Sequence, residues 1–215
     1  ALSLVMLHES PSGQARERLR SLVIGADAST VSHRIKALAV QALWPGHLSS
    51  EELFSILGQA REERDLESYN SFLYGNPAQH LSGAGIIPAL RWLRVKINSQ
   101  GWVPSVIFRE NLVHGILATA WRALDAPGID VAPALAEAVF SLAQSHVRFT
   151  GEHVLESYKS ETEKRHRFLD VFLSLVEAGG ATSTWVVHYP WLLVLPDDTP
   201  WLLARLDRAE EEPAR

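Results

Sequence analysis

One string in this chain has the form of a metal-ligand motif: Glu163-x-x-His166, with Glu161 two residues earlier. A glutamate and a histidine three apart share one face of a helix, and di-iron bundles use two such strings with further carboxylates on facing helices. The second string is missing here, because His153 and Glu156 stand in the reverse order. The expectation is a solvated, charged helix face and no metal. Glu110 and His114, four apart, read as a surface pair or a hydrogen bond. Ser82-Gly83-Ala84-Gly85 is glycine-rich, yet a phosphate loop follows a strand and carries a lysine, so the string reads as a turn. Neither a Gly-x-x-x-x-Gly-Lys-Ser/Thr loop nor a Gly-x-Ser-x-Gly elbow occurs anywhere in the chain. His8, His33, His47, His80 and His188 are scattered without ligand spacing. The residues therefore predict no catalytic set, no cofactor and no metal.

Tryptophan is a better lead. Trp44, Trp92, Trp121 and Trp201 lie on or beside helical stripes and read as core. Trp102, Trp185 and Trp191 fall near loops or irregular segments, where large aromatics with a polar tip suit a protein-docking surface. Arg91, Arg94 and Lys96 make a short basic face interleaved with core positions, the one feature in favour of a small enzyme on helical repeats such as a DNA glycosylase. Against it, 20 Lys and Arg stand against 25 Asp and Glu, a formal net charge of −5, whereas gripping phosphates calls for a basic stripe. Protein, not nucleic acid, is the expected partner.

The chain has no cysteine, which excludes disulfides, thiolate zinc sites and cysteine nucleophiles, and fits the cytoplasm. No apolar run approaches the ~20 residues that span a bilayer, so no membrane role is expected. The first residues, ALSLVMLHES, show neither a basic leader nor a small-residue cleavage site. Starting without Met and entering an apolar run at once, the sequence reads as a piece of something longer.

The elements that would hold these residues are almost all of period 3.6. Val31, Ile35, Leu38, Ala39, Ala42 and Leu43 form a stripe that needs a partner surface, with Leu38 as a central core position worth roughly 2–5 kcal/mol if buried. Trp44-Pro45-Gly46 ends that helix. Ser49 with Glu52 three residues on reads as a capping box that starts the next. Ser10-Pro11 starts an earlier helix with Ala15, Leu19, Leu22 and Val23 on one face. GQAREERDL reads as a charged connection to SYNSFLY, a short aromatic helix ended by Gly75-Asn76-Pro77. Ile86, Leu90, Leu93 and Ile97 make the next stripe, ended near Gly101. Val113, Ile116, Leu117, Ala120, Trp121 and Leu124 make a long one, ended by Pro127-Gly128. Asp130 caps a helix with Leu135, Val139, Leu142 and Ala143. Periodicity fades through SHVRFTGEHVLESYKSETEKRHR, then returns at Phe168, Leu169, Phe172, Leu175 and Val176, with a stop at Gly179-Gly180. TSTWVVHYPWLLVL is rich in β-branched and aromatic residues, but a lone strand would leave its backbone unpaired, so helix or irregular structure is favoured. PDDTPWLLARLDRAEEE starts a last helix with a Trp201, Leu202, Leu206 face.

Helices joined by short turns and recurring at very roughly 35–50 residues predict an all-α fold. Stacked antiparallel helix pairs would form a short α-solenoid of HEAT or armadillo type, one domain over 1–208 with a frayed tail at 209–215. RIKALAVQALWPGHLSSEELFSIL, YNSFLY, PALRWLR and LPDDTPWLLARL together resemble the helical-repeat region C-terminal to the nucleotide-binding module of bacterial NACHT-type STAND ATPases. ALWPGHLS (42–49) and PWLLARL (200–206) carry most of that resemblance, since they place Trp, Pro and capping residues as well as Leu. It implies a regulatory or sensor arm, often in defence against phage, and carries over no catalytic residue because the phosphate loop is absent.

Overall fold

The computed structural model describes residues 13–60, 63–97, 107–144, 152–178 and 193–211. Among them the fold is all-α, with no strand and eleven α-helices. In chain order these are α1 (Gly13–Ile24), α2 (His33–Leu43), α3 (Ser50–Gln59), α4 (Glu63–Glu67), α5 (Asn70–Tyr74) and α6 (Ile86–Ile97). They are followed by α7 (Ile107–Ala123), α8 (Ala132–Gln144), α9 (Glu152–Ser160), α10 (Thr162–Ala178) and α11 (Thr199–Glu211). No helix among the described residues is long and apolar enough to cross a membrane.

Local chemistry sets most of the boundaries. At the start of α3 the Glu52 N–H donates to Ser49 Oγ at 3.1 Å and the Ser49 N–H donates to Glu52 Oε2 at 2.9 Å, so the capping box is complete. Arg20 on α1 then pairs with the same Glu52. That carboxyl is held below its ordinary range first by the Ser49 N–H, against burial, and further by Arg20. Asp130 Oδ1 accepts from the Ala132 N–H at 3.3 Å where α8 begins. Asn76, left-handed at φ 47°, turns the chain from α5 into a 3-10 turn at Pro77–His80. That turn lies so close to α7 that a Cβ on Gly115 would stand 2.7 Å from Asn76 Oδ1 and 2.9 Å from the Ala78 Cβ. Ser82 to Gly85 forms the expected turn, with Gly83 at φ +52°.

Helix packing follows chain order along two rows. In one, α1 packs on α3, α3 on α6, α6 on α8 and α8 on α10. In the other, α2 packs on α4 and α5, α5 on α7, and α7 on α9. Contacts of α1 with α2, α6 with α7, and α9 with α10 join the rows. The core between them holds Leu53, Ile56, Leu57, Ile86, Leu90, Leu93, Ile116, Trp121, Leu135, Leu142, Phe168 and Leu169, all fully buried. Every member of the Ile86 stripe and of the Phe168 stripe except half-buried Leu175 is inside.

Three expectations are corrected. Part of the charged connection is helical, as α4. The polar stretch after residue 150 is helical from Glu152 to Ser160 and again from Thr162, because its buried face is made by Tyr158, Lys164 and Arg165, which an apolar count does not register. On α11, Trp201 and Leu202 are half-buried, but Leu206 is 57% exposed, as is Leu203. Residues 181–192, and with them most of TSTWVVHYPWLLVL, lie outside the described residues, as do the start at Ser10-Pro11 and the stops at Gly101 and Gly179-Gly180.

Candidate functional site

The helix α2 is apolar on two sides. Its inward side holds Lys36, Ala37, Ala39, Val40 and Leu43, all buried. Ile35 is 49% and Leu38 46% exposed on the outward side, with Ala42 half-buried one turn on; Val31, expected in the same stripe, is extended and precedes the helix, whose N-cap is Ser32. Arg34 and Gln41, both exposed, border that line. Leu38 is therefore not a core residue, contrary to the sequence expectation. At about 100° per residue, positions 35, 38 and 42 fall within about 60° of each other, and 36, 40 and 43 form a second group about 140° away. The expected stripe ran the two together. Lys36 belongs to the inward group, its long alkyl stem buried although its end is polar.

The end of that lysine meets the C-terminus of α3. Lys36 Nζ donates to Gln59 Oε1 at 2.7 Å, and Lys96 Nζ, from α6, donates to the Ala60 carbonyl. A helix C-terminus presents carbonyls without intrahelical donors and the negative end of the macrodipole, so two ammonium groups converge where they are most welcome. Burial lowers the pKa of Lys36; it also lowers that of Lys96, against the opposing charge of Asp65. Beside them His33 Nδ1 is 3.2 Å from the Tyr69 hydroxyl and His33 Nε2 is 3.6 Å from Asp65 Oδ2. Burial, and then Asp65, raise the pKa of the Tyr69 phenol. A lysine of lowered basicity is the starting condition for amine nucleophiles. Here each nitrogen is instead turned onto an acceptor of the same helix end, and the arrangement closes that end.

A second polar cluster ties the last helix to the rest. Arg165 is 1% and Asp198 0% exposed. Arg165 Nε lies 3.0 Å from both Asp198 oxygens and Nη2 is 2.8 Å from Oδ1, while Nη1 donates to the carbonyls of Tyr158 and Lys159 at 2.8 and 2.7 Å. One guanidinium thus caps the C-terminus of α9 and clamps a carboxylate from the turn before α11. Asp198 Oδ2 also accepts the Leu195 N–H at 2.8 Å, and Oδ1 lies 2.8 Å from His166 Nε2. Burial alone would raise the Asp198 pKa; Arg165, the Leu195 N–H and His166 outweigh it and hold the carboxyl below its ordinary range. The His166 ring stacks on Trp201 at 4.5 Å between centroids, and the Tyr158 hydroxyl donates to the Leu193 carbonyl at 2.5 Å. Further along, Arg205 of α11 reaches Asp170 at 2.9 Å and Glu177 at 2.6 Å on α10.

These clusters relocate most of the candidate residues. His166 is committed to Asp198 and Glu163 is exposed, and no group of three or more His, Asp or Glu among the described residues is placed to hold a metal. His114 is half-buried on α7; the side chain of Glu110 lies outside the described residues. The basic face disperses: Arg91 is exposed, Arg94 pairs with Glu137 on α8, and Lys96 points inward. Trp92 and Trp121 are buried and Trp44 and Trp201 half-buried, in line with the core reading, and the Lys164 ammonium sits 5.3 Å from the Trp121 ring. Trp102, Trp185 and Trp191 lie outside the described residues. Sequence reasoning missed Lys36, Arg165 and Asp198. Only Asp198 carried a signal, as an acidic residue just after Pro196 at a helix start. No family model, curated protein or solved structure matches the chain.

Proposed function

We propose that this chain is a non-catalytic helical scaffold that works by docking protein, built as a short α-solenoid of stacked helix pairs. The observation that carries the reading is the outward face of α2, where Ile35 and Leu38 stand half-exposed between Arg34 and Gln41. A helix with a second apolar line at i, i+3 and i+7 has the geometry of a helix-docking seam. Packing in chain order along two rows supports the solenoid, since each unit of a solenoid contacts its neighbours. Within this reading the chain is the regulatory or sensor arm of a NACHT-type STAND ATPase, as the ALWPGHLS and PWLLARL strings suggest, and its partner is the ATPase module or a protein that module recognises. Cytoplasmic antiphage defence is the setting that resemblance implies.

The test uses an I35E/L38E double variant, which changes only half-exposed positions. A protein that co-purifies with the parent chain, is lost with the variant and rebinds when both are purified to homogeneity supports the scaffold. Calorimetric binding of ATP by the chain itself, or a set of purified partners indifferent to the variant, rejects it.

A further inference from the structure

The last helix is held to the body unevenly along its length. From Thr199 to Arg208 no residue of α11 is buried, and of its apolar side chains only Trp201, in the first turn, packs against the core. We propose that α11 is a strap that opens as a unit, with the Asp198 joint as its hinge and Arg205 as its latch. The proposal is independent of the scaffold reading, since it concerns how the chain holds its own helix.

The hinge end is built to stay. Asp198 is fully buried against Arg165, and the turn ties itself: the Asp198 N–H donates to the Leu195 carbonyl at 2.9 Å and the Leu195 N–H to Asp198 Oδ2 at 2.8 Å. The bond from the Tyr158 hydroxyl to the Leu193 carbonyl fixes the chain just ahead of it. The latch end is different. Trp201 meets His166, while Arg205 meets Asp170, Ser174 and Glu177, so α11 runs alongside α10 in the same direction. Among the described residues, that one guanidinium is the only polar tie between the two helices beyond the first turn of α11. The carboxylates that receive it are 60% and 62% exposed. Ion pairs with that much water around them are weak and are screened by salt, whereas the joint is closed to solvent.

A helix fixed at one end and latched at the other by solvated charge opens more readily than the body it rests on. Two further features favour opening. Helices that run in the same direction place like ends of their macrodipoles side by side, so the backbone adds nothing that holds α11 down. Once released, its 13 residues have no neighbour, at a length where isolated helices are marginal in water, so the amides lose protection when the latch opens. Leu203 and Leu206, already exposed, travel with the arm. Ionic strength is then the variable that sets how often the strap is open.

Amide hydrogen exchange, read residue by residue by NMR on the whole chain, tests the strap. In the parent chain the amides of residues 203–208 should exchange at least about tenfold faster than those of Phe168, Leu169 and Phe172 on α10. R205A should speed the α11 amides by a further factor of about three to ten, as expected for the loss of one or two exposed ion pairs. Raising NaCl from about 0.05 M to about 1 M should do the same to the parent chain and much less to R205A. An unstructured peptide of the α11 sequence corrects for the effect of salt on exchange itself, and unchanged exchange at Phe168 and Leu169 shows that R205A is folded. The amides of Leu195 and Asp198 should stay slow in R205A. Amides of 203–208 that exchange no faster than those of α10 overturn the strap. Fast exchange that is indifferent to both R205A and salt overturns the latch, and loss of protection at Leu195 and Asp198 together with α11 overturns the hinge.

Discussion

The Asp198 joint and the lysine-capped end of α3 both bury charge, and they balance it differently. At the joint a carboxylate meets a guanidinium, a histidine and a backbone N–H, and the same guanidinium satisfies two carbonyls of α9. At the end of α3, two ammonium groups donate to an amide oxygen and a backbone carbonyl, which are neutral, with the charge of Asp65 acting on Lys96. The first arrangement is mutual: each partner is tolerable inside only because of the other. The second is one-sided, since Gln59 and Ala60 would lose little without a cation. The difference teaches which buried charge holds the fold together and which is carried by it.

Removing either partner of the joint should show this most strongly. Arg165→Met or Asp198→Asn leaves the other charge buried and uncompensated, at a cost of about 3–5 kcal/mol in denaturant unfolding. The Asp198 pKa is lower folded than unfolded, so its stabilisation is fully present above the ordinary carboxylate value near 4 and is lost as pH falls below it. Melting temperatures followed from pH 7 to pH 2 should therefore fall less steeply for Asp198→Asn than for the parent chain. An equal slope would mean that the joint is not the acid-sensitive element.

The N-terminus of α3 calibrates its other end. Ser49→Ala should cost about 1 kcal/mol, because it opens a complete capping box. Lys36→Met should change stability at pH 7 by less than about 1 kcal/mol, in either direction, since a buried cation is exchanged for an apolar chain of similar length. Its sign shows in alkali. A lysine whose folded pKa is lowered binds fewer protons folded than unfolded, so the parent chain gains stability as pH rises through that window toward about 10.4. Lys36→Met should lack that part of the gain. A variant that is several kcal/mol less stable at pH 7 would put the lysine end on the same footing as the joint. Smallest of all, Leu38→Ala should cost less than about 0.5 kcal/mol, as for a surface site, where Leu53→Ala in the core of α3 should cost roughly 2–5 kcal/mol.

The sequence by itself determined the helices whose signals are local. Ser49 and Glu52 specify a cap across three residues, Ile86, Leu90, Leu93 and Ile97 specify a buried face across about three turns, and Pro77 and Gly83 specify turns within a few positions. Such signals are complete inside one element because the 3.6 period and the unpaired amides of a first turn are properties of the segment itself. The faces of α2, by contrast, were decided by tertiary structure, for both carry apolar residues and only one is covered by α1, α4 and α5, with Lys36 buried among Ala37, Ala39, Val40 and Leu43. The helices around Tyr158 and Arg165 were hidden for the same reason. Their buried side chains include Arg165, which becomes tolerable only when Asp198, 33 residues away, arrives just ahead of α11, and Lys164, which pairs with Asp125 and Glu161. Periodicity records where an apolar side chain would go. Whether a charge can go there too depends on the free energy of a partner that only the folded chain brings into reach.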